Sequence, residues 1–371
     1  MKVAVTGADG FLGWHLLVRL GSRTRHEVRP IPRSVFADDC GLQRGLAGAD
    51  AVVHLAGVNR DTPEAVETGN IHLAERLTGA LDSIGIAPSI IFANSTQAGA
   101  DTPYGRGKAR AADALRAWAD RRATTMVDLI LPNLFGECGR PDYNSFVATF
   151  CHRLAHDQEP RLDTDRLVPL LHAQDAAALI ENTLDHLDHL PSSESIHPEG
   201  RPLLVSSVLG ILRDLSAVYA AGRFPDLSDP FVVQLFNTYR SYLYPHWYPQ
   251  PLVAKADQRG SFVEAVWTLG GTGQTSFSTT RPGITRGNHY HLRKIERFVV
   301  VRGTADISIR PVGRAAVHTF RVSGDTPAFV DMPTLHTHNI TNTGHDELWT
   351  LFWTNELFDP GDPDTYPEPV A

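Results

Sequence analysis

Over residues 1–136, short apolar runs alternate with segments whose apolar positions recur at helical spacing. The runs "KVAVTG", "HEVRPI", "DAVVHLAG" and "SIIFAN" predict strands, and "TMVDLILPNLFG" predicts a strand followed by a loop. Between them, "GWHLLVRLGS", "HLAERLTGALDSIG" and "YGRGKARAADALRAWADRR" predict helices. Such alternation implies parallel βαβ units with right-handed crossovers, hence an α/β doubly wound parallel sheet. Residues 140–225 keep helical segments but lose the rhythm, as an extension that binds substrate would. The stretch "YRSYLYPHWYPQPL", rich in Tyr and Pro, reads as a packed boundary. After it come β-branched runs punctuated by Gly and Pro, among them "RFVVVRGTADISIRPV", "AVHTFRVS", "HTHNITN" and "LWTLFWT". Many short strands at turn-bounded spacing predict an all-β sandwich or barrel. The expected division is 1–243 and 244–371, with the acidic, Pro-rich end "FDPGDPDTYPEPVA" lying along the surface.

Composition narrows the classes. A chain of 371 residues exceeds the size at which one core keeps growing, which agrees with two domains. A formal net charge of −8 without clustered Lys or Arg argues against nucleic acid as a partner. The three cysteines, Cys40, Cys138 and Cys151, form no C-x-x-C pair, so a disulfide framework or thiolate zinc site is not expected. The first apolar run stops at Gly7, too early for a signal peptide, and no stretch reaches the roughly 20 apolar residues that span a bilayer. The expectation is a cytoplasmic protein with no membrane insertion.

The first strand leads into Gly7, Gly10 and Gly13, a G-x-x-G-x-x-G turn with Phe11 and Leu12 inside it. A tight glycine turn lets the backbone approach a pyrophosphate and offers it the free N–H groups of a helix N-terminus. At the end of the second strand NAD binders usually place an acid for the ribose. Here "VRPIPRSVF" has none, and Arg33 is available for a 2′-phosphate, which favours NADPH. Tyr104 and Lys108 stand four apart, on one helix face. A nearby cation tunes the phenol for proton transfer at a carbonyl or alcohol, and Ser95 offers a hydroxyl for the same oxygen. These motifs resemble the extended short-chain dehydrogenase/reductase family, a Rossmann-type fold, which "DAVVHLAGVNR", "ETGNIHLAERL", "LPNLFG" and "LLHAQDAA" also match. The resemblance implies that Leu55, Ala56, Gly57 and Asn70 line the cofactor. It also implies that Tyr104 is the acid/base, that Lys108 binds ribose and tunes Tyr104, and that Ser95 orients the carbonyl. Asn94 departs from the Ser common there, which leaves Thr96 as a rival to Ser95.

In the β part, His289 and His291 alternate onto one strand face, Glu296 follows, and Gly303 lies seven residues on. Downstream come Pro333, His338 and Asn342. The spacings H-x-H-x4-E-x6-G and P-x4-H-x3-N resemble the two cupin motifs, so the expected fold is a jelly-roll barrel. Imidazoles with a carboxylate suit a divalent metal, zinc above others. Leu335 stands where the second motif usually has Gly, and His336 shares a face with His338 as an extra candidate ligand. "ADQRGSFVEA" and "TRGNHYH" are also similar to cupin-fold sugar 3-epimerases, in which the residue matching His289 is a general base and no metal is needed. Ligand and base are rival roles for one imidazole.

Taken over the whole chain, the combination resembles the bifunctional capsular-polysaccharide enzymes that fuse such a reductase to a cupin. That resemblance implies C3 epimerisation of a UDP-4-keto-6-deoxy-N-acetylhexosamine in the cupin, then NADPH-dependent C4 reduction. It implies zinc on His289, His291, Glu296 and His338. A homodimer is the default assembly. The alternatives are a reductase whose cupin is purely structural or oligomerising, and a non-enzymatic NADPH sensor, against which Ser95, Tyr104 and Lys108 argue.

Overall fold

The computed structural model describes residues 1–23 and 25–371. One compact unit comprises Met1–Phe135 and Leu167–Leu203. Its strands are β1 (Lys2–Thr6), β2 (Glu27–Ile31), β3 (Ala51–His54), β4 (Ser89–Ser95), β5 (Met126–Leu131), β6 (Asn133–Phe135), β7 (Leu167–His172), β8 (Ser193–Ile196) and β9 (Arg201–Leu204). Six of them form a parallel sheet in the order β2-β1-β3-β4-β5-β8, and β6, β7 and β9 form a smaller one. Its helices are α1 (Phe11–Arg23), α2 (Arg33–Ala37), α3 (Asp39–Leu46), α4 (Pro63–Ile84), α5 (Pro103–Arg122) and α7 (Ala173–Asp185), while α6 (Phe146–Ala155) belongs to the other unit.

The strands are apolar on both faces because helices cover both. Val3, Val5, Val53, Ile91, Val127 and Leu129 pack with residues of α1 and α7. Alternate positions Ala4, Val52, Ile90, Phe92 and Met126 pack with α4 and α5. Local chemistry sets the helix starts: the Thr62 hydroxyl accepts from the Ala65 N–H and the Thr102 hydroxyl from the Gly105 N–H, each with Pro at the next position. Because β2 and β3 flank β1 on opposite sides, the strand order reverses there, which opens a crevice at the carboxyl ends of β1 and β3.

The other unit comprises Gly136–Arg166 and Leu204–Ala371. It contains α6, α8 (Val205–Ala220), α9 (Pro230–Leu243) and short strands β10 (Phe224–Asp226), β11 (Gln250–Pro251), β12 (Ala254–Asp257), β13 (Gly260–Val263) and β14 (Thr268–Gly270). The longer strands are β15 (Gln274–Thr280), β16 (Thr285–Tyr290), β17 (Glu296–Arg302), β18 (Thr304–Pro311), β19 (His318–Ser323), β20 (Ala328–Met332), β21 (His336–Asn342) and β22 (Leu348–Thr354), with β23 (Tyr366–Pro367) at the end. Two five-stranded antiparallel sheets, β11-β20-β17-β22-β15 and β19-β18-β21-β16-β23, share a core that includes Val299, Ile307, Ile309, Phe320, Phe329, Val330 and Ile340.

Contacts therefore group α6, α8 and α9 with the β-rich part, whereas the line at 243/244 follows element type. The reason is a buried polar seam. Arg297 pairs bidentately with Asp331 at 2.8 and 2.9 Å, both side chains being fully buried. Tyr219 of α8 donates to Asp331, and Arg240 of α9 donates to the Met332 carbonyl at 2.9 Å. The Arg297 guanidinium also lies 3.5 Å from the Phe329 ring centroid and 4.2 Å from that of Phe224. Among the described residues no helix is long and apolar enough to cross a membrane.

Candidate functional site

At the carboxyl end of β1 the glycine turn is built with no room to spare. Gly7 has φ +67°, and a Cβ there would lie 2.7 Å from the Ala56 nitrogen. A Cβ on Gly13 would meet the Gly7 carbonyl oxygen at 2.2 Å. The Gly10 N–H donates to that same oxygen at 2.9 Å. Phe11 and Leu12 open α1 directly behind the turn, so its first N–H groups point toward the crevice. Arg33 opens α2, its backbone N–H held by Asp9 of the glycine turn at 3.1 Å and its side chain exposed. By contrast, the Arg29 guanidinium is occupied by the Ala47 carbonyl and Glu27.

Leu55, Ala56 and Gly57 form the loop after β3, beside Gly7. Asn70 of α4 is buried, and its amide is committed to backbone: it donates to Val58 O at 2.8 Å and Val66 O at 2.7 Å and accepts from Val58 N at 3.2 Å. It thus shapes the Leu55–Gly57 loop.

Ser95 ends β4, and its hydroxyl is hydrogen-bonded to the Tyr104 phenol at the start of α5. Thr96, the rival, is exposed and joins Leu131 O only through its backbone N–H at 3.0 Å. Burial pushes the Tyr104 phenol above its ordinary pKa, with the Ser95 bond opposing, so it is held as a proton donor. Lys108, one turn along α5, is buried, donates to Ala93 O at 2.6 Å and lies 3.9 Å over the Phe92 ring. Burial brings its ammonium down to about 7, against the pull of Asp128.

In the β-rich unit, His289, His291, Glu296 and His338 come together, with their ligand atoms all within 4.8 Å of one another. Their positions follow from the backbone. His289 and His338 are register partners on β16 and β21, and a bulge between Gly287 and His289 turns the strand. Gly287 has φ +100°, and a Cβ there would meet the His338 carbonyl oxygen at 2.8 Å. The Asn288 side chain fixes the bulge, accepting from Asn339 at 3.0 Å and from Val370 N at 3.2 Å. Leu335 occupies the left-handed region at φ +63°, fully buried, with its N–H on His291 O. His336 is not brought into the cluster: its Nδ1 donates to Thr334 O at 2.8 Å and its ring packs on Tyr244.

The hydrogen-bond partners of the rings fix which nitrogens face inward. His291 Nδ1 faces the Asp364 carbonyl at 2.5 Å and His338 Nδ1 faces the His336 carbonyl at 3.2 Å. A carbonyl only accepts, so each Nδ1 carries the proton and each neutral ring presents a lone pair at Nε2. Those Nε2 atoms lie 3.0 and 3.2 Å from Glu296 Oε2, and the buried Nε2 of His291 has no hydrogen-bond partner. Burial opposes the Glu296 charge, and lone pairs facing it do not offset that cost, so the carboxylate needs a cation beside it. Burial likewise brings His338 down to about 4. Lone pairs converging on a carboxylate fit a cation, and the donor set fits zinc.

Asp364 is the residue that sequence reading passed over. The tail was expected along the surface, yet Asp364 is fully buried. Its carboxylate accepts from the backbone N–H groups of Leu292, Arg293 and Lys294 at 3.1, 3.0 and 2.8 Å, and its carbonyl holds His291. It therefore shapes the turn between His291 and Glu296. An Asp with prolines before and after, "DPDTYP", carries no periodic signal that would mark it as buried.

Comparison with known proteins agrees with this two-part construction. Residues 3–197 match the NAD dependent epimerase/dehydratase family, and residues 255–366 match the polysaccharide biosynthesis C-terminal domain. A UDP-2-acetamido-2,6-beta-L-arabino-hexul-4-ose reductase of Pseudomonas aeruginosa is 33% identical over 368 residues, 99% of this chain and 98% of that protein. The crystal structure of the capsular polysaccharide assembling protein CapF from Staphylococcus aureus matches with a TM-score of 0.62 at 33% identity, covering 100% of both chains. RMD from Pseudomonas aeruginosa complexed with NADPH shares the fold over 58% of this chain and 82% of its own, with a TM-score of 0.52 at 20% identity. A glycine turn at a parallel-sheet switch point, a Ser–Tyr–Lys set beside it and a full-length likeness to CapF place this chain in the NAD-dependent epimerase/dehydratase family.

Proposed function

We propose that the protein is a bifunctional nucleotide-sugar enzyme of polysaccharide biosynthesis. Its β-rich unit, of the cupin or jelly-roll kind, epimerises C3 of a UDP-4-keto-6-deoxy-N-acetylhexosamine, and its parallel-sheet unit then reduces C4 with NADPH. The observation that carries the reading is the Tyr104 phenol bonded to Ser95, with Lys108 one turn behind, at the carboxyl edge of the sheet. The 33% identity to a hexul-4-ose reductase over 99% of the chain supports the substrate class.

Gly7, Gly10 and Gly13 would cradle the cofactor pyrophosphate, since a side chain at Gly7 or Gly13 would fill that space. Phe11 and Leu12 would lie behind it and Leu55, Ala56 and Gly57 alongside, in the loop that Asn70 holds. Arg33 would meet the 2′-phosphate and Lys108 the ribose. NADPH, when bound, supplies the reducing equivalent for C4. Ser95 orients the ketone oxygen, and Tyr104, kept protonated by burial, passes its phenolic proton to that oxygen as it becomes an alcohol.

In the β-rich unit, the C4 ketone acidifies the C3 proton, so a base on one face of the ring can remove it and an acid on the opposite face, exchanging with solvent, can deliver a proton to C3. His289, His291, Glu296 and His338 would hold zinc, which when bound supplies positive charge at the cluster. On this reading His289 is a ligand and the base is another residue. A second reading, that the β-rich unit is structural, is favoured by one observation: His291, Glu296 and His338 are buried, and four protein ligands make a closed site of the structural kind. We place the working form as a homodimer, which sizing in solution checks.

One experiment separates the readings. The protein is incubated in deuterated water with the UDP-4-keto sugar and no NADPH. Deuterium at C3 is the expected result; no exchange, with C4 reduction of a supplied 3-epimer intact, would leave the β-rich unit structural. In parallel, Tyr104→Phe is expected to lower NADPH-dependent reduction about 10²-fold or more. Full activity in that variant removes the reductase assignment.

A further inference from the structure

We propose that Asp128 is a positioning residue of the reductase site, fixing Ser95 through Asn94 and serving as the buried counter-charge of Lys108. The inference rests on the Ser95–Tyr104–Lys108 reading above. Asp128 lies on β5 opposite Phe92, on the sheet face where Ile90, Phe92 and Met126 pack against α4 and α5. Packing alone asks for an apolar side chain there. Asp128 is instead 4% exposed, and its Oδ1 is buried with no hydrogen-bond partner. A buried carboxylate with an unmatched oxygen destabilises the fold, so its other contacts must explain it.

Those contacts lead to the site. Oδ2 accepts from Asn94 Nδ2 at 3.2 Å and from Arg116 at 3.4 Å. A carboxylate only accepts, so Asn94 must turn its NH₂ toward Asp128 and its Oδ1 toward the Ser95 N–H, which it meets at 2.9 Å. The direction of the amide, and with it the end of β4 that carries the Ser95 hydroxyl, is therefore decided by Asp128.

The second link is electrostatic. His54 of β3 and Asp128 of β5 act on Lys108, Tyr104 stands one turn before it on α5, and Arg116 of α5 and His197 after β8 act on Asp128. Asp128 is the anion in this set. Burial pulls the Lys108 ammonium toward neutrality and Asp128 opposes it. Lys108 Nζ lies 3.9 Å over the ring of Phe92, the register partner of Asp128 across β4 and β5, and a nearby opposite charge shifts such a group by about one to three pH units.

The test compares pH profiles of kcat/KM for NADPH-dependent reduction of the UDP-4-keto sugar. In Asp128→Asn the volume stays and the charge goes, so the alkaline limb is expected to move down by about one pH unit or more. Asp128→Glu is expected to restore it. Asn94→Ser keeps the carboxylate but breaks the link to Ser95: kcat is expected to fall about tenfold or more with the limb in place. A limb that does not move in a folded Asp128→Asn, with only the thermal midpoint lowered, overturns the counter-charge role. Wild-type kcat in Asn94→Ser overturns the positioning role, and this arm stands even where Asp128→Asn does not fold. Wild-type turnover in Tyr104→Phe would remove the reductase reading itself, an outcome distinct from both.

Discussion

His54 shows how a single side chain ties the sheet to the site. It ends β3, with its Nδ1 2.7 Å from the Thr6 hydroxyl and its ring stacked between Phe36 and Phe92. Burial, with Lys108 adding to it, lowers its pKa to about 3. The unfolded chain binds that proton near pH 6.5, so the contribution of neutral His54 to stability is complete above about 6.5 and declines as pH falls toward 3. His54→Phe is expected to flatten the loss of stability over that window, by an amount on the order of a few kcal/mol at the acid end. Denaturant midpoints measured across the window decide it, and an unchanged slope counts against the assignment. Nothing in "DAVVHLAG" distinguishes a neutral buried His54 from a solvated one, because its ring partners lie on other elements. Gly7, Tyr104 and Lys108 were legible for the opposite reason: their chemistry depends on spacing within a few residues.

For elements, periodicity located the strands and the cores of the long helices, and polar starts escaped it. The helix expected at residues 72–85 begins at Pro63, because Thr62 caps it and its opening residues, Pro63 and Glu64, are exposed. Helices α2 and α3 were not anticipated, being short and weakly apolar. The C-terminal tail is the larger surprise: one carboxylate caps the turn carrying His291 to Glu296. On the proposed cation reading, Asp364→Ala is expected to weaken zinc binding about 10- to 100-fold, as loss of an outer hydrogen-bonding partner does. Chelator competition on purified protein measures it, and wild-type affinity would show that the tail does not shape the site.

By contacts, the chain divides into two units that interleave in sequence. The seam of Tyr219, Arg240, Arg297 and Asp331 binds α8 and α9 to the β-rich sheets through fully buried charge. A fragment of residues 244–371 lacks Tyr219 and Arg240. Breaking a buried charge network of this kind costs about 3–5 kcal/mol, a large share of a domain's stability. That fragment is expected to show no cooperative thermal unfolding. A sharp transition in calorimetry would support the boundary at 243/244.

Sequence alone determined the parallel βαβ half, the strand-rich second half, the glycine turn, the Ser95–Tyr104–Lys108 set and the four residues of the His/Glu cluster. All of these are written in short-range periodicity or in motifs whose members lie close in the chain or at recognisable spacings. Tertiary structure alone decided that Asn94 answers to Asp128, that Asp364 returns 73 residues later to hold His291, and that α8 and α9 pack with the β-rich sheets. Each of these rests on a buried polar contact between distant segments, and such a contact obeys geometry and desolvation, which leave no periodic trace in the order of residues.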